Sequence, residues 1–338
     1  MNTEILKRTA QKMVAKGKGI LAADESTPTC TKRFNSIGIE STRESRNEYR
    51  DMLFTTNDLE KYVSGIIMYD ETIRQKTISS NQPFPEYLNE KGILTGIKVD
   101  TGAKELAGSN NEKITEGLDN LRDRIIAYKE LGASFAKWRA VIKIDTKNSL
   151  PSNACLFANA HALARYASIC QENNIVPIVE PEIIMDGNHD IETCLMVTSS
   201  ALNIVFEQLK LMNVYLEGIV LKPNMIICGE NCSKSCSDYA EKVADYTIKC
   251  LLETVPKEVP GIAFLSGGQS SDLATKQLTI MNQKLKNRND LWNLTFSYGR
   301  ALQQDSLSVW GNKDKTLAQS KLLHRAKMNS LASQGLIN

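Results

Sequence analysis

The sequence predicts an α/β protein closed into a (β/α)8 barrel, and three observations lead there. Eight short aliphatic runs, at 19–24, 64–69, 96–99, 134–142, 176–180, 218–221, 261–265 and 294–298, read as buried parallel strands. Their C-terminal ends lie roughly 30 to 46 residues apart, about the length of one strand–helix unit. Helical patterns fill most of the gaps, and strands alternating with helices imply a parallel sheet covered on its faces. Eight such units favour closure over an open doubly wound sheet, and no dinucleotide-binding glycine fingerprint follows the first strand. Residues 1–338 read as a single domain with an extra N-terminal helix and a C-terminal helical segment.

Taken in order, Ile5, Leu6, Ala10, Met13 and Val14 share one helical face over 3–17, and Gly17 ends it. The first strand runs to Asp24 and opens into a basic, polar loop over 25–33. Residues 79–92, with Pro83 and Pro85, read as a surface loop or short insertion. A helix is expected over 109–131, opened by the cap-like Ser109-Asn110-Asn111-Glu112 and closed at Gly132. Another over 152–172 follows Pro151 and carries the stripe Leu156, Ala160, Leu163, Ala164 and Ala167. The segments 191–212, 237–254 and 271–285 behave alike.

Composition narrows the function. A net charge of +2 gives no bulk pull toward nucleic acid or membrane, so anion binding must come from a few placed cations. No stretch approaches the roughly 18 apolar residues of a membrane span. The N-terminus lacks an apolar signal core and the eight cysteines show no framework spacing, which points to a reducing cytoplasm. Cys228, Cys232 and Cys236 lack CxxC spacing and a neighbouring histidine, so they read as coincidental thiols. His161, His189 and His324 are not grouped for coordination, and no metal or cofactor is expected.

Function concentrates at the strand ends, where such barrels build their active sites. Strands disfavour Lys, Asp and Glu, yet Asp24, Glu71, Lys98 with Asp100, Lys137 with Arg139, Glu180 with Glu182, Lys222 and Arg300 stand at or just beyond them. Lys222 ends the run Gly218-Ile219-Val220-Leu221 and is cut off by Pro223. Lysine is rarely buried without a reason. Desolvation and neighbouring cations disfavour an ammonium, which makes a neutral, nucleophilic amine accessible near pH 7; a snorkelling lysine is the bland alternative. Lys137 and Arg139 share a face by the two-residue period, as do Glu180 and Glu182. Inside a barrel they form either a structural ion-pair network or a pocket for proton transfer and anion binding. Glu180 is expected to work with a raised pKa. Ser266-Gly267-Gly268 turns a strand into a helix, and with Arg300 after the last strand it fits a phosphate cradle. Ser26, Thr29, Lys32 and Arg33 suggest a second anion site or a solvated loop.

Seven collinear segments resemble the class I (Schiff-base) fructose-1,6-bisphosphate aldolases of animals and plants. They are Gly17 to Thr27, Gly96-Ile97-Lys98-Val99-Asp100, Phe135-Ala136-Lys137-Trp138-Arg139, Ile178 to Glu182, Leu221 to Met225, Phe264 to Gln269 and Phe296 to Leu302. The resemblance implies a TIM-type barrel, usually a homotetramer, that cleaves a sugar bisphosphate into dihydroxyacetone phosphate and glyceraldehyde 3-phosphate without a metal. It implies that Lys222 is the Schiff-base lysine, Glu180 the acid/base for carbinolamine dehydration, and Asp24 the group acting on the hydroxyl beside the scissile bond. Lys137 is expected to hold substrate and steady Glu180. Ser266, Gly267, Gly268 and Arg300 correspond to the phosphate site nearest the ketone. Ser26, Thr29, Lys32, Arg33 and Lys98 correspond to the distal phosphate side, with Glu182 and Arg139 in support and Arg46 a further substrate-side arginine. Two departures stand out. Thr101 replaces a common lysine, and the sequence ends at Asn338 where animal-type members continue into a tyrosine-ended tail that assists protonation of the enamine. The preferred ketose stays open among fructose 1,6-bisphosphate, fructose 1-phosphate and sedoheptulose bisphosphate.

Overall fold

Each of the eight expected runs forms a strand, and the strands pair in parallel until the sheet closes on itself. This computed structural model describes residues 1–232 and 238–337. The barrel strands are β1 (Gly19–Ala23), β2 (Val63–Met68), β3 (Leu94–Lys98), β6 (Phe135–Ile142), β7 (Val176–Ile183), β8 (Val220–Leu221), β9 (Gly261–Phe264) and β10 (Asn293–Tyr298). Between β3 and β6 an antiparallel hairpin, β4 (Gly102–Glu105) with β5 (Lys113–Glu116), leaves the barrel wall. The order β1-β10-β9-β8-β7-β6-β3-β2 returns to β1, so the wall has no open edge. Register sets Lys98 beside Lys137 and Arg139 beside Glu180 on adjacent strands.

The helices are α1 (Thr3–Met13), α2 (Thr27–Asn35), α3 (Arg43–Phe54), α4 (Asp70–Ile73), α5 (Phe84–Glu90), α6 (Leu121–Glu130), α7 (Asn153–Glu172), α8 (Ile191–Leu211), α9 (Tyr239–Thr254), α10 (Ser271–Lys284), α11 (Arg300–Trp310) and α12 (Lys315–Ala332). Ile20, Ile67, Phe135, Ile178 and Val220 pack inside the barrel, and Leu6, Ala10 and Met13 of α1 join the same cluster. Helix α1 thus plugs the amino-terminal end, since Ser64 of β2 donates to the Met13 and Gly19 carbonyls. Gly65 and Gly96, on neighbouring strands, leave room for the Phe135 ring; a Cβ at either would run into it. Burying an aromatic ring of this kind contributes roughly 1.5–3 kcal/mol. With the lower half filled, the polar cavity is confined to the carboxyl end.

Three local expectations are corrected. The segment 25–33 is mostly helix: Ser26 stands at the cap of α2, Pro28 falls in its first turn, and Cys30 and Phe34, four apart, are buried. Residues 109–131 do not form one helix. Glu112 is buried and accepts from Ser109 and, 40 residues on, from the Ser152 amide at 2.7 Å and hydroxyl at 2.6 Å. Its cap-like spacing therefore closes a hairpin, and α6 begins only at Leu121. Finally, 79–92 contains α5, whose Phe84 and Leu88 are fully buried.

Candidate active site

The strand ends surround a polar cavity of about 360 Å³. Asp24 follows β1 directly, Lys137 and Arg139 project from β6, Glu180 and Glu182 from β7, and Lys222 follows β8, its amide donating to the Val179 carbonyl at 2.8 Å. Beyond β9, Gly267 and Gly268 adopt φ of +58° and +82°, conformations that a side chain would strain, and Ser266 stands beside them. Gly268 also faces Met185, whose sulfur would clash with a Cβ. Beyond β10, Arg300 opens α11 at the cavity wall.

At the centre, Lys137 Nζ lies 2.5 Å from Asp24 Oδ2 and 3.5 Å from Glu180 Oε2. Lys222 Nζ lies 3.3 Å from Glu180 Oε1. All four side chains are at least nine-tenths buried. Around them Lys98 pairs with Asp100 at 2.5 Å, Arg139 with Glu182, and Arg33 with Glu25 at 2.5 Å. Arg300 has no carboxylate partner among the described residues, which leaves its guanidinium available to an anion.

The electrostatics separate the roles. Burial pushes the Lys222 ammonium toward the neutral amine, and Lys137 adds to the push against the pull of Glu180 and Asp24. Burial also opposes charge on Lys137, but Asp24, Glu180 and Asp100 outweigh it and raise its pKa. Burial would raise the Asp24 carboxyl, yet Lys137 and Lys222 bring it down to about 2. Glu180 departs from expectation. Burial raises it, but Lys137, Lys222 and Arg139 together hold it below the ordinary carboxylate value. The sequence shows that Glu180 is buried without showing how many cations face it. Any loss of charge on Lys222 would remove one of those cations and let the Glu180 proton affinity climb.

Of the residues expected at the site, Asp24, Ser26, Thr29, Arg33, Lys98, Lys137, Arg139, Glu180, Glu182, Lys222, Ser266, Gly267, Gly268 and Arg300 all line this one cavity. Lys32 is exposed and does not line it. Arg46 does not line it either; a two-pronged ion pair with Glu71, 2.7 Å at each contact, holds it to α4, the short helix after β2. Sequence reading placed Asp100 beside Lys98 at a strand end without its role of fixing that lysine, and gave no role to Glu25, which fixes Arg33. It also missed Ser297, a buried hydroxyl in the cavity wall. Neither Ser297 Oγ nor Glu180 Oε2 has a hydrogen-bond partner among the described residues. The signal for Ser297 was a polar residue between two aromatics in a buried strand. Cys228 meets the Tyr239 hydroxyl at 3.3 Å, and Cys236 lies outside the described residues. Among the described residues no group of three or more His, Cys, Asp or Glu is placed to hold a metal, and no helix is long and apolar enough to cross a membrane.

This fold and this site define a barrel enzyme built around a buried lysine. Residues 5–338 match the family described as "Fructose-bisphosphate aldolase class-I". The chain is 53% identical over 339 residues to the "Probable fructose-bisphosphate aldolase class 1" of Xanthomonas campestris pv. campestris, with 99% of each chain covered. It is 48% identical over 329 residues to fructose-bisphosphate aldolase B of Gallus gallus, covering 96% of this chain and 88% of that one. A solved Plasmodium falciparum fructose-bisphosphate aldolase, in complex with TRAP and a small-molecule inhibitor, matches with a TM-score of 0.95 at 46% identity. That match covers 99% of this chain and 95% of the other. The chain belongs to the class I fructose-bisphosphate aldolase family.

Proposed function

We propose that Lys222 forms an imine with the ketone carbon of fructose 1,6-bisphosphate, and that the protein cleaves this sugar reversibly to dihydroxyacetone phosphate and glyceraldehyde 3-phosphate. The observation that carries the reading is the buried Lys222 amine 3.3 Å from Glu180, pushed by burial toward the form that attacks carbonyls. Attack on the ketone gives a carbinolamine, and a proton delivered by Glu180 lets its hydroxyl leave as water. The protonated imine then accepts the electron pair of the C3–C4 bond as Asp24 takes the proton of the C4 hydroxyl. Glyceraldehyde 3-phosphate departs, and protonation of the enamine at C3 restores an imine that water hydrolyses. In the resting site Asp24, at about 2, is a weak base. Substrate phosphates beside Arg300 and Lys98 offset the positive field around Asp24 and raise it.

Ser266, Gly267, Gly268 and Arg300 bind the phosphate nearest the ketone, while Ser26, Thr29, Arg33 and Lys98, which line the cavity, serve the distal one. Residues 1–338 act as one domain in the cytoplasm, without nucleic acid or membrane, in a homo-oligomer that the family resemblance makes a tetramer. The cytoplasmic reading draws support from an Arabidopsis thaliana relative, 51% identical over 321 residues, named as cytosolic.

Borohydride with dihydroxyacetone phosphate tests the chemistry, because reduction traps only an imine. Mass mapping is expected to find the label on Lys222; no label, or a label elsewhere, overturns the assignment. Arg300→Ala is expected to raise KM roughly 10- to 100-fold for fructose 1,6-bisphosphate and fructose 1-phosphate alike, the scale of one charge-assisted hydrogen-bond pair. Steady-state kinetics showing an unchanged KM for both sugars would remove Arg300 from the clamp.

A further inference from the structure

We infer that Gln303 is a positioning residue: it ties the two ends of the cavity together and sets the preference for doubly over singly phosphorylated ketoses. This rests on the proposed function, which places a phosphate at each end.

Gln303 lies on α11 one turn after Arg300 and is completely buried. Its amide nitrogen donates to the Ala22 carbonyl at the end of β1 at 2.6 Å and to Glu25 Oε1 at 2.9 Å. Its amide oxygen accepts from the Tyr49 hydroxyl of α3 at 2.9 Å. Both partners of the nitrogen are acceptors and the partner of the oxygen is a donor, so the amide has one satisfied orientation. Glu25 Oε1, which takes the Gln303 proton, also accepts from Arg33 Nη1 at 2.5 Å. Its other oxygen faces Arg50 Nη2 at 2.6 Å. Burial opposes charge on Glu25, but Arg50 and Arg33 outweigh it and keep the carboxylate ionised.

One amide thus connects the helix that begins with Arg300, the strand end that leads to Asp24, and the carboxylate that aims Arg33. Arg33 and Arg50 pull on opposite oxygens of this buried carboxylate, and the Gln303 N–H adds a neutral contact that holds Oε1 on the Arg33 side. Without the Gln303 N–H, Glu25 is free to rotate toward Arg50, and Arg33 follows it away from the cavity. A sugar lacking the distal phosphate makes no use of Arg33 and is indifferent to the change.

The test is steady-state kinetics of Gln303→Met on fructose 1,6-bisphosphate and fructose 1-phosphate. KM for the bisphosphate is expected to rise about tenfold with kcat nearly unchanged, the scale of one lost charge-assisted contact. kcat/KM for the monophosphate should move less than about twofold, as for an uncoupled site. The double variant Arg33→Met, Gln303→Met should match Arg33→Met alone within about twofold, because the amide acts through that arginine. If Gln303→Met does not fold, Gln303→Met with Tyr49→Phe removes the buried hydroxyl left unpaired, still loses the donor to Glu25, and is read in the same way. Equal losses on both sugars, no change on the bisphosphate, or simple additivity with Arg33→Met would each overturn the inference. Borohydride trapping with dihydroxyacetone phosphate should succeed in the variant; its failure in the unaltered protein would sink the imine reading instead.

Discussion

Lys222→Met is expected to lower kcat for bisphosphate cleavage by roughly four orders of magnitude or more while leaving the fold intact. Methionine matches the length of the lysine stem and is apolar, so it suits a position that is 3% exposed. Burial already disfavours charge on Lys222, so its loss removes a desolvation cost, and Glu180 keeps Lys137 and Arg139 as cationic neighbours. Chemistry suffers in a different way. Without the amine there is no imine, and without the imine no electron sink for the pair released from the C3–C4 bond. Lys222→Arg should fail equally, because a guanidinium cannot lose its proton at neutral pH. A coupled cleavage assay beside a thermal melt checks both halves. Turnover retained by a folded methionine variant would remove Lys222 from the mechanism.

The barrel was legible because buried parallel strands leave a simple mark, an apolar run cut by a polar residue at its carboxyl end. Lys222 after Ile219-Val220-Leu221 and Asp24 after Ile20-Leu21-Ala22-Ala23 both announce themselves in this way. The hairpin left no such mark. Lys104 and Glu105 are exposed, and the partner that fixes Glu112 is Ser152, on another element. Helix α2 was hidden differently: its Ser26 cap and Pro28 are start signals, but its polar residues line a cavity and look like a loop. The ion pairs lay beyond reach for a topological reason. Lys137 meets Asp24 only because closure brings β1 and β6 to one lumen, and Arg46 leaves the expected site because Glu71 claims it. Residue types at strand ends show which charges gather; only the closed geometry shows which charge holds which.

Lys137→Met should therefore damage stability and chemistry together. Its ammonium stands between two buried carboxylates, and removing one partner of such a set typically costs about 3–5 kcal/mol. The pH dependence has a definite sign. Asp24 sits at about 2 in the folded protein against an ordinary 3.8, so it contributes stability above its unfolded value that is lost as pH falls through the folded one. Without Lys137, burial and the facing Glu180 push Asp24 upward, and that contribution disappears. The Tm difference between the two proteins is expected to be largest above the ordinary carboxylate range and to close toward about pH 2, where Asp24 of the unaltered protein also takes up its proton. A gap that widened on acidification would refute this account. Lys137 also helps keep Lys222 neutral, so its removal raises the Lys222 pKa and shifts the acid limb of kcat/KM to higher pH. At neutral pH, loss of the clustered cation should lower kcat/KM by about 10²–10³. One substitution would thus move a melting curve and a pH–rate profile by a common cause, the charge that Lys137 places among Asp24, Glu180 and Lys222.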